Sequence, residues 1–321
     1  MQLDKLRLKK IKGDASFRSF YRKEKNNKKS ILVYATKEKE KNLLVYDAIN
    51  KLLIKNKILA PKLYKENYKK NFIEIEDFVD DTIFKLLKRK GSNKIDLYKQ
   101  SIYLLNKIQK IRQNKIKNFK GINYKVPTYD NYKLFKEARL FCDWYAKKYI
   151  KKKKLELFNI RINKQIKFLL TNLKLKNDIL VHRDFHVSNL MKYKKKIATI
   201  DTQDALIGNR AYDLASLIDD VRLKSNKKLK DSIYNYYLRL NKHKTNKIIL
   251  LNDFEILSVL RNLKIIGIFA RLAARDKKQK YLKLIPYAWK LIELRSKGNK
   301  IFDEFKKIMD ANFSKETRNI K

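Results

Sequence analysis

With 44% hydrophobic side chains, a chain of 321 residues can bury a substantial core, which excludes wholesale disorder. The formal charge of +47 comes from lysines spread along the whole chain rather than gathered on one element, so it does not by itself mark a nucleic-acid binder. A lone Cys142 rules out an intramolecular disulfide framework, no apolar run reaches the roughly 18 residues of a membrane span, and residues 1–12 lack a signal peptide's apolar stretch, so a cytoplasmic protein with neither nucleic-acid nor membrane partners is expected.

Three prolines and six glycines are sparse punctuation and favour a helix-rich chain. In chain order, Lys12-Gly13-Asp14-Ala15-Ser16-Phe17-Arg18 reads as a turn between two strands. Gly13 permits the turn, and the backbone amides and Ser16 would face phosphate oxygens. A plain hairpin turn is the other reading of the same residues. Residues 31–35 form a short apolar strand pattern. Leu44, Val45, Ala48, Ile49, Leu52 and Leu53 then recur at helical spacing, and Ala60-Pro61 closes that stretch. A further strand is expected over residues 72–75. Beyond about residue 80 helical patterns dominate, with Trp144-Tyr145 in a helix core and residues 151–154, all Lys, at a solvated helix end or loop.

One compact interruption breaks the helices. Ile179-Leu180-Val181 and Ile197-Ala198-Thr199-Ile200 are buried-strand patterns, and between them lies His182-Arg183-Asp184-Phe185-His186-Val187-Ser188-Asn189. Asp201 follows the second strand directly. The segment from Leu180 to Asp220 holds six Asp against six Lys or Arg, neutral within a chain of +47. Crowded carboxylates repel unless a cation joins them. Some are equally readable as caps and surface: Asp213 opens a helical run, and Asp219 and Asp220 are expected to be exposed.

His182-Arg183-Asp184 with Asn189 fits the kinase catalytic-loop pattern H-R-D-x-x-x-x-N. Phosphoryl transfer needs an aligned acceptor hydroxyl and a divalent cation to neutralise charge. In this pattern Asp184 takes the acceptor proton, while Asn189 and Asp201 supply oxygen ligands suited to Mg²⁺. Glu76 and Phe78, leaving a strand in Glu74-Ile75-Glu76-Asp77-Phe78, would form a hinge whose backbone meets adenine. His186 either orients the loop or touches substrate, and Asp204 is a further substrate candidate. A protein kinase also needs a peptide platform after its metal-binding Asp. Only eleven residues separate Asp201 from Asp213, so a small-molecule acceptor is expected. No Cys/His metal spacing and no Gly-x-Ser-x-Gly elbow is present.

These residues, together with Gly13 to Arg18, Pro127-Thr128-Tyr129-Asp130, Glu137, residues 141–145, Gln203-Asp204-Ala205, residues 212–217 and residues 263–272, resemble the aminoglycoside phosphotransferase-like superfamily. Within it the chain is similar to the N-acetylmuramate/N-acetylglucosamine anomeric kinases. The resemblance implies an α+β, two-lobed protein-kinase-like fold: a small N-terminal β-sheet lobe (1–78) that binds nucleotide and a larger, mainly helical C-terminal lobe (79–321) for catalysis and substrate. It also implies transfer of the ATP γ-phosphate to the anomeric hydroxyl of an amino sugar, with ATP and Mg²⁺ as cofactors. Arg271, with Arg275 four residues on, would then recognise the lactyl carboxylate of N-acetylmuramate or a phosphate oxygen, the plainer alternative being that Asp276 simply pairs with Arg275. The strand position where many kinases place an ATP-binding Lys reads Leu32-Val33-Tyr34-Ala35, with no Lys before Lys37. Two competing readings are another aminoglycoside- or choline-type kinase, and a catalytically inactive kinase-fold binding module.

Overall fold

The computed structural model describes residues 8–11, 18–25, 28–35, 42–242 and 246–319. The described chain falls into two compact units. One comprises residues up to Pro127 with Ile179–Ile207, and the other Thr128–Asp178 with the residues from Gly208 onward. The lobe boundary expected after Phe78 lies inside the first unit.

The first unit opens with β1 (Leu8–Ile11), β2 (Arg18–Lys25), β3 (Lys28–Ala35), α1 (Asn42–Lys55), β4 (Leu63–Asn67) and β5 (Phe72–Glu76). The strands make one antiparallel sheet in the order β1-β2-β3-β5-β4. Its core is Ile31, Val33, Ala35, Ile73 and Ile75 packed with Leu43 and Tyr46 of α1. The alternation of apolar residues along β3 and β5 explains this placement, since side chains two apart share a sheet face. Next come α2 (Ile83–Lys88), capped by Thr82, α3 (Lys94–Ile108), capped by Asn93, and the hairpin β6 (Lys115–Lys117) with β7 (Asn123–Lys125).

In the second unit α4 (Asn131–Ala138) is capped by Asp130, and α5 (Lys147–Tyr149) precedes α6 (Lys152–Thr171). Phe141–Ala146, between α4 and α5, is π-helical rather than α-helical. Its widened turn carries Phe141 and Tyr145 into an aromatic core with Trp289, Phe158 and Phe313. The chain then runs through β8 (Asn177–Val181), β9 (Leu190–Tyr193), β10 (Lys196–Thr199) and β11 (Leu206–Asn209), of which Ile179–Ile207 belongs to the first unit. The remaining helices are α7 (Ala211–Ile218), α8 (Lys227–Leu240), α9 (Lys247–Ala274), α10 (Ile285–Ser296), α11 (Asp303–Asn312) and α12 (Lys315–Arg318). No helix among the described residues is long and apolar enough to cross a membrane.

The sequence expectations for Ile31–Ala35, the helix of α1 and the strand at Phe72 hold. A sheet in the N-terminal part and helices beyond it give the α+β class. Asp219 and Asp220 correct the reading that placed them on the surface, because both are buried. Asp219 accepts hydrogen bonds from Lys230, Arg295 and Ser258, so burial is compensated by two cations and a hydroxyl.

Candidate active site

The chemistry-bearing segment of the first unit is a hairpin with a loop before it. β9 and β10 pair antiparallel, from Leu190 opposite Thr199 to Tyr193 opposite Lys196. This hairpin is docked on the rest of the unit by backbone bonds from Thr199 N to Leu59 O at 2.9 Å and from Lys192 N to Asp81 O at 2.8 Å. Buried Phe78, Met191 and Ala198 pack together beneath it. The loop carrying Asp184 and Asn189 precedes β9, and Asp201 follows β10, so the pairing of the two strands carries all three into one neighbourhood.

Two hydrogen bonds fix that neighbourhood. The amide of Ile200 donates to Asn189 O at 3.0 Å, and the carbonyl of Ile200 accepts from His182 Nε2 at 3.0 Å. Both peptide groups of the residue preceding Asp201 are therefore tied to the loop. Within the loop Asn189 Nδ2 donates to Asp184 O at 3.1 Å, and the amides of His186 and Asn189 close tight turns onto Asp184 O and His186 O. His186 is buried with Nε2 3.5 Å from Asn189 Nδ2. Asp184 is half-buried.

Arg183 (φ 71°) and Asp201 (φ 61°) both lie in the left-handed region. For residues with a Cβ this conformation is uncommon and is held only by surrounding contacts. Asp201 is 38% exposed, and its Oδ1 accepts from Arg18 Nη2 at 2.8 Å and from Gln203 Nε2 at 3.2 Å. Arg18 Nη1 donates to Gln203 Oε1 at 2.9 Å, and Gln203 Nε2 also donates to Asp204 Oδ2 at 2.8 Å. Asp204 is exposed and its carbonyl accepts from Arg183 Nη1. Thr202 is anchored from below by donation to Asn50 Oδ1 of α1 at 2.7 Å.

The hinge candidates belong to the same unit. Glu76 ends β5, where its amide donates to Lys62 O at 2.9 Å. The Phe78 side chain packs at 4.8 Å from the Tyr193 ring, so only its backbone is placed for a ligand. Arg22 of β2 clamps this turn through Asp77 and Asp80, and the bond to Asp77 holds its guanidinium above the usual arginine range. Gly13 and Ser16 lie outside the described residues. In the second unit, Arg271 sits in the last turn of α9 with its Nε buried and without a hydrogen-bond partner. Burial lowers its pKa, helped by the neighbouring Arg275. Arg275, not Arg271, takes Asp276, at 2.7 Å.

Sequence reasoning had not singled out three contributors. His182 is the buried clamp on Ile200, Gln203 bridges Arg18 to Asp201 and Asp204, and Arg18 is the buried cation. All three sit inside motifs whose other members drew the attention, and Arg18, at the end of the Gly13–Arg18 segment, gives no local signal of its contact to Asp201.

The donor set suits a hard cation. One carboxylate, Asp201, and one amide oxygen, that of Asn189, belong to segments tied together by Ile200. Among the described residues no group of three or more His, Cys, Asp or Glu is placed to cage a metal. Mg²⁺ is held in this manner, by one or two protein oxygens, with phosphate oxygens and water completing its octahedron.

The chain is 27% identical over 289 residues to the N-acetylmuramate/N-acetylglucosamine kinase of Pseudomonas aeruginosa, covering 88% of this chain and 81% of that protein. Among solved structures it resembles a Plasmodium vivax ethanolamine kinase, with a TM-score of 0.61 at 14% identity over 91% of this chain and 82% of the other. It also resembles an amicoumacin kinase in complex with AMP-PNP, Ca²⁺ and Ami, with a TM-score of 0.61 at 13% identity over 89% and 88% of the two chains. These likenesses establish the kinase-like fold. The model described as "Phosphotransferase enzyme family" matches residues 7–243, so the chain belongs to that family of phosphotransferases.

Proposed function

We propose that this phosphotransferase is an ATP-dependent kinase acting on the anomeric hydroxyl of N-acetylmuramate or N-acetylglucosamine. The observation that carries the reading is the pair of bonds through Ile200, which joins the Asp184–Asn189 loop to Asp201. The curated relative named for those two sugars aligns over most of the chain.

In this reading the Asp184 carboxylate accepts the proton of the anomeric hydroxyl as its oxygen attacks the γ-phosphorus and the bond to the β–γ bridging oxygen breaks, releasing ADP. An anomeric hydroxyl is more acidic than an ordinary alcohol and asks less of a carboxylate base. The Asn189 amide oxygen and Asp201 would hold Mg²⁺, which when bound neutralises phosphate charge. Gly13, Ser16 and the Glu76–Phe78 hinge serve the nucleotide, in a lobe taken as residues 1–78. His186, Asp204 and Arg271 serve the acceptor side, in a lobe taken as residues 79–321. A cytoplasmic location belongs to the same reading, consistent with the unpaired, buried Cys142.

The test is ADP release with Mg-ATP and a panel of amino sugars, amino alcohols and aminoglycosides. Turnover confined to the two amino sugars is expected. The Asp184→Asn variant should lose on the order of 10² to 10⁴ in rate. Preference for an amino alcohol or an aminoglycoside would replace the acceptor assignment, and full activity in the variant would remove Asp184 as the base.

A further inference from the structure

A kinase-fold site ordinarily meets the nucleotide phosphates with a lysine from the central strand of its small sheet. Here that strand, β3, ends in Leu32-Val33-Tyr34-Ala35, and Lys28 and Lys29 are exposed at its other end. Among the described residues of the unit, the buried cation stands on the neighbouring strand. Arg18 begins β2, lies opposite Ala35 in the β2–β3 register and is only 6% exposed. Its guanidinium is 5.6 Å from the Phe20 ring centroid and 5.8 Å from that of Tyr46. Burial pushes the Tyr46 hydroxyl up to about 12, so this neighbour is neutral and brings no charge of its own.

Asp201, an acidic partner of Arg18, is the residue expected to bind metal. One nitrogen of the fork takes Asp201 Oδ1 at 2.8 Å and another takes Gln203 Oε1 at 2.9 Å. A guanidinium this deep in protein needs an anion, and a bidentate fork is the geometry that accepts either a carboxylate or a phosphate. Asp201 is far more exposed than Arg18, so it can turn toward solvent-side ligands while Arg18 stays in place. Once Asp201 gives its oxygen to a metal ion, the nitrogen that held it faces the same place, and a phosphate oxygen of the nucleotide suits it.

We infer that Arg18 is the nucleotide-phosphate cation of this chain, replacing the missing strand lysine: it holds Asp201 before nucleotide binds and exchanges it for a phosphate oxygen afterwards. Gln203 keeps its contact to the fork during the exchange, which fixes the plane of the guanidinium. This inference rests on the ATP reading above.

Binding, not turnover, tests it. ATP, ADP and adenosine are titrated calorimetrically, with Mg²⁺ present, into the full chain and its Arg18→Gln and Arg18→Lys variants. Arg18→Gln should weaken ATP and ADP by about 10- to 100-fold, as expected for loss of a charge-assisted hydrogen bond, and leave adenosine unchanged. Arg18→Lys, which keeps the charge without the fork, should fall between. Equal losses for ATP and adenosine would show a merely structural arginine and overturn the inference, as would no loss at all. Should Arg18→Gln fail to fold, Arg18→Lys carries the same comparison, and unaltered ATP affinity there overturns it equally. Failure of the unaltered chain to bind ATP overturns both readings, whereas ATP binding indifferent to Arg18 overturns this one alone.

Discussion

His182 Nε2 lies 3.0 Å from the carbonyl oxygen of Ile200 and 2.8 Å from Thr199 Oγ1, with the ring almost wholly buried. The imidazole thereby fixes the peptide that leads into Asp201, whose φ of 61° needs outside support. Replacing His182 with Ala removes that support and leaves polar partners unmet, at about 1–3 kcal/mol of stability. The same loss lets Asp201 drift, and a misplacement near 1 Å can lower turnover by roughly 10²-fold. We expect His182→Ala to show a reduced urea midpoint together with a lowered kcat. A kcat equal to the unaltered chain's would show that His182 serves the fold alone.

Metal removal should separate chemistry from folding. Among the described residues the protein offers no metal cage, only Asp201 and the Asn189 amide on segments already tied by hydrogen bonds. Chelation with EDTA is therefore expected to abolish turnover while leaving the thermal midpoint unchanged, unlike structural sites in which metal binding drives folding. A large fall in midpoint on chelation would contradict this assignment.

The His182–Asn189 loop was legible because the kinase pattern specifies residue types at fixed spacing, and β8 and β10 are short apolar runs. The three-residue strands β6 and β7 carry no such signal. Their sequences, Lys115-Ile116-Lys117 and Asn123-Tyr124-Lys125, are too short and too polar for periodicity to act on, and only tertiary pairing defines them. The same limit hid β9, which begins with the apolar pair Leu190-Met191 and ends in Lys192-Tyr193. Arg18 escaped for a different reason. Its importance comes from Asp201 and Gln203, more than 180 positions away, and no local pattern reports such a contact. Asp219 and Asp220 misled because adjacent carboxylates at a helix end usually face water. The partners that justify burial, Lys230 and Arg295, arrive from later helices.

Asp219 links stability to pH. Lys230 and Arg295 outweigh the cost of burial and hold its pKa at about 2, against an ordinary value of 3.8. A carboxylate with a depressed folded pKa contributes stability that is fully present above 3.8 and disappears as pH falls through about 2. The difference corresponds to about 2 kcal/mol. Denaturant midpoints recorded between pH 5 and pH 2 should fall more steeply for the unaltered chain than for Asp219→Asn. That variant starts lower, by roughly 3–5 kcal/mol, because two cations lose their buried partner. Parallel pH profiles for the two proteins would show that the cluster is not the acid-sensitive element.

Gly267 lies within α9, where the backbone of Leu140 and Phe141 passes directly against it. A Cβ there would fall on the Leu140 carbonyl group and the Phe141 nitrogen, far inside van der Waals contact. Backbone cannot swing aside as a side-chain tip can, so Gly267→Ala should cost about 3 kcal/mol, at the upper end of overpacking, despite alanine's better helix propensity. The expected readout is a thermal midpoint lower by roughly 6–12 °C. A rise in midpoint would mean that α9 and the π-helical turn separate without penalty.

Under the proposed function, Arg271 would bear on which sugar is accepted. Asp276 is engaged by Arg275 at 2.7 Å and 3.0 Å, which is the plainer pairing the sequence offered for this segment, and it commits Arg275 rather than Arg271. Its Nε is buried without a partner, and both burial and Arg275 disfavour its charge. A guanidinium in that condition gains from any anion that reaches it. N-acetylmuramate carries such an anion in its lactyl group and N-acetylglucosamine does not. Arg271→Gln should therefore raise KM for N-acetylmuramate about 10- to 100-fold, the cost of one charge-assisted bond, while kcat/KM for N-acetylglucosamine stays within about threefold. Because burial already disfavours this half-buried charge, the variant should melt no lower than the unaltered chain. Equal losses on both sugars would place Arg271 against a group they share, and no loss on either would remove it from recognition.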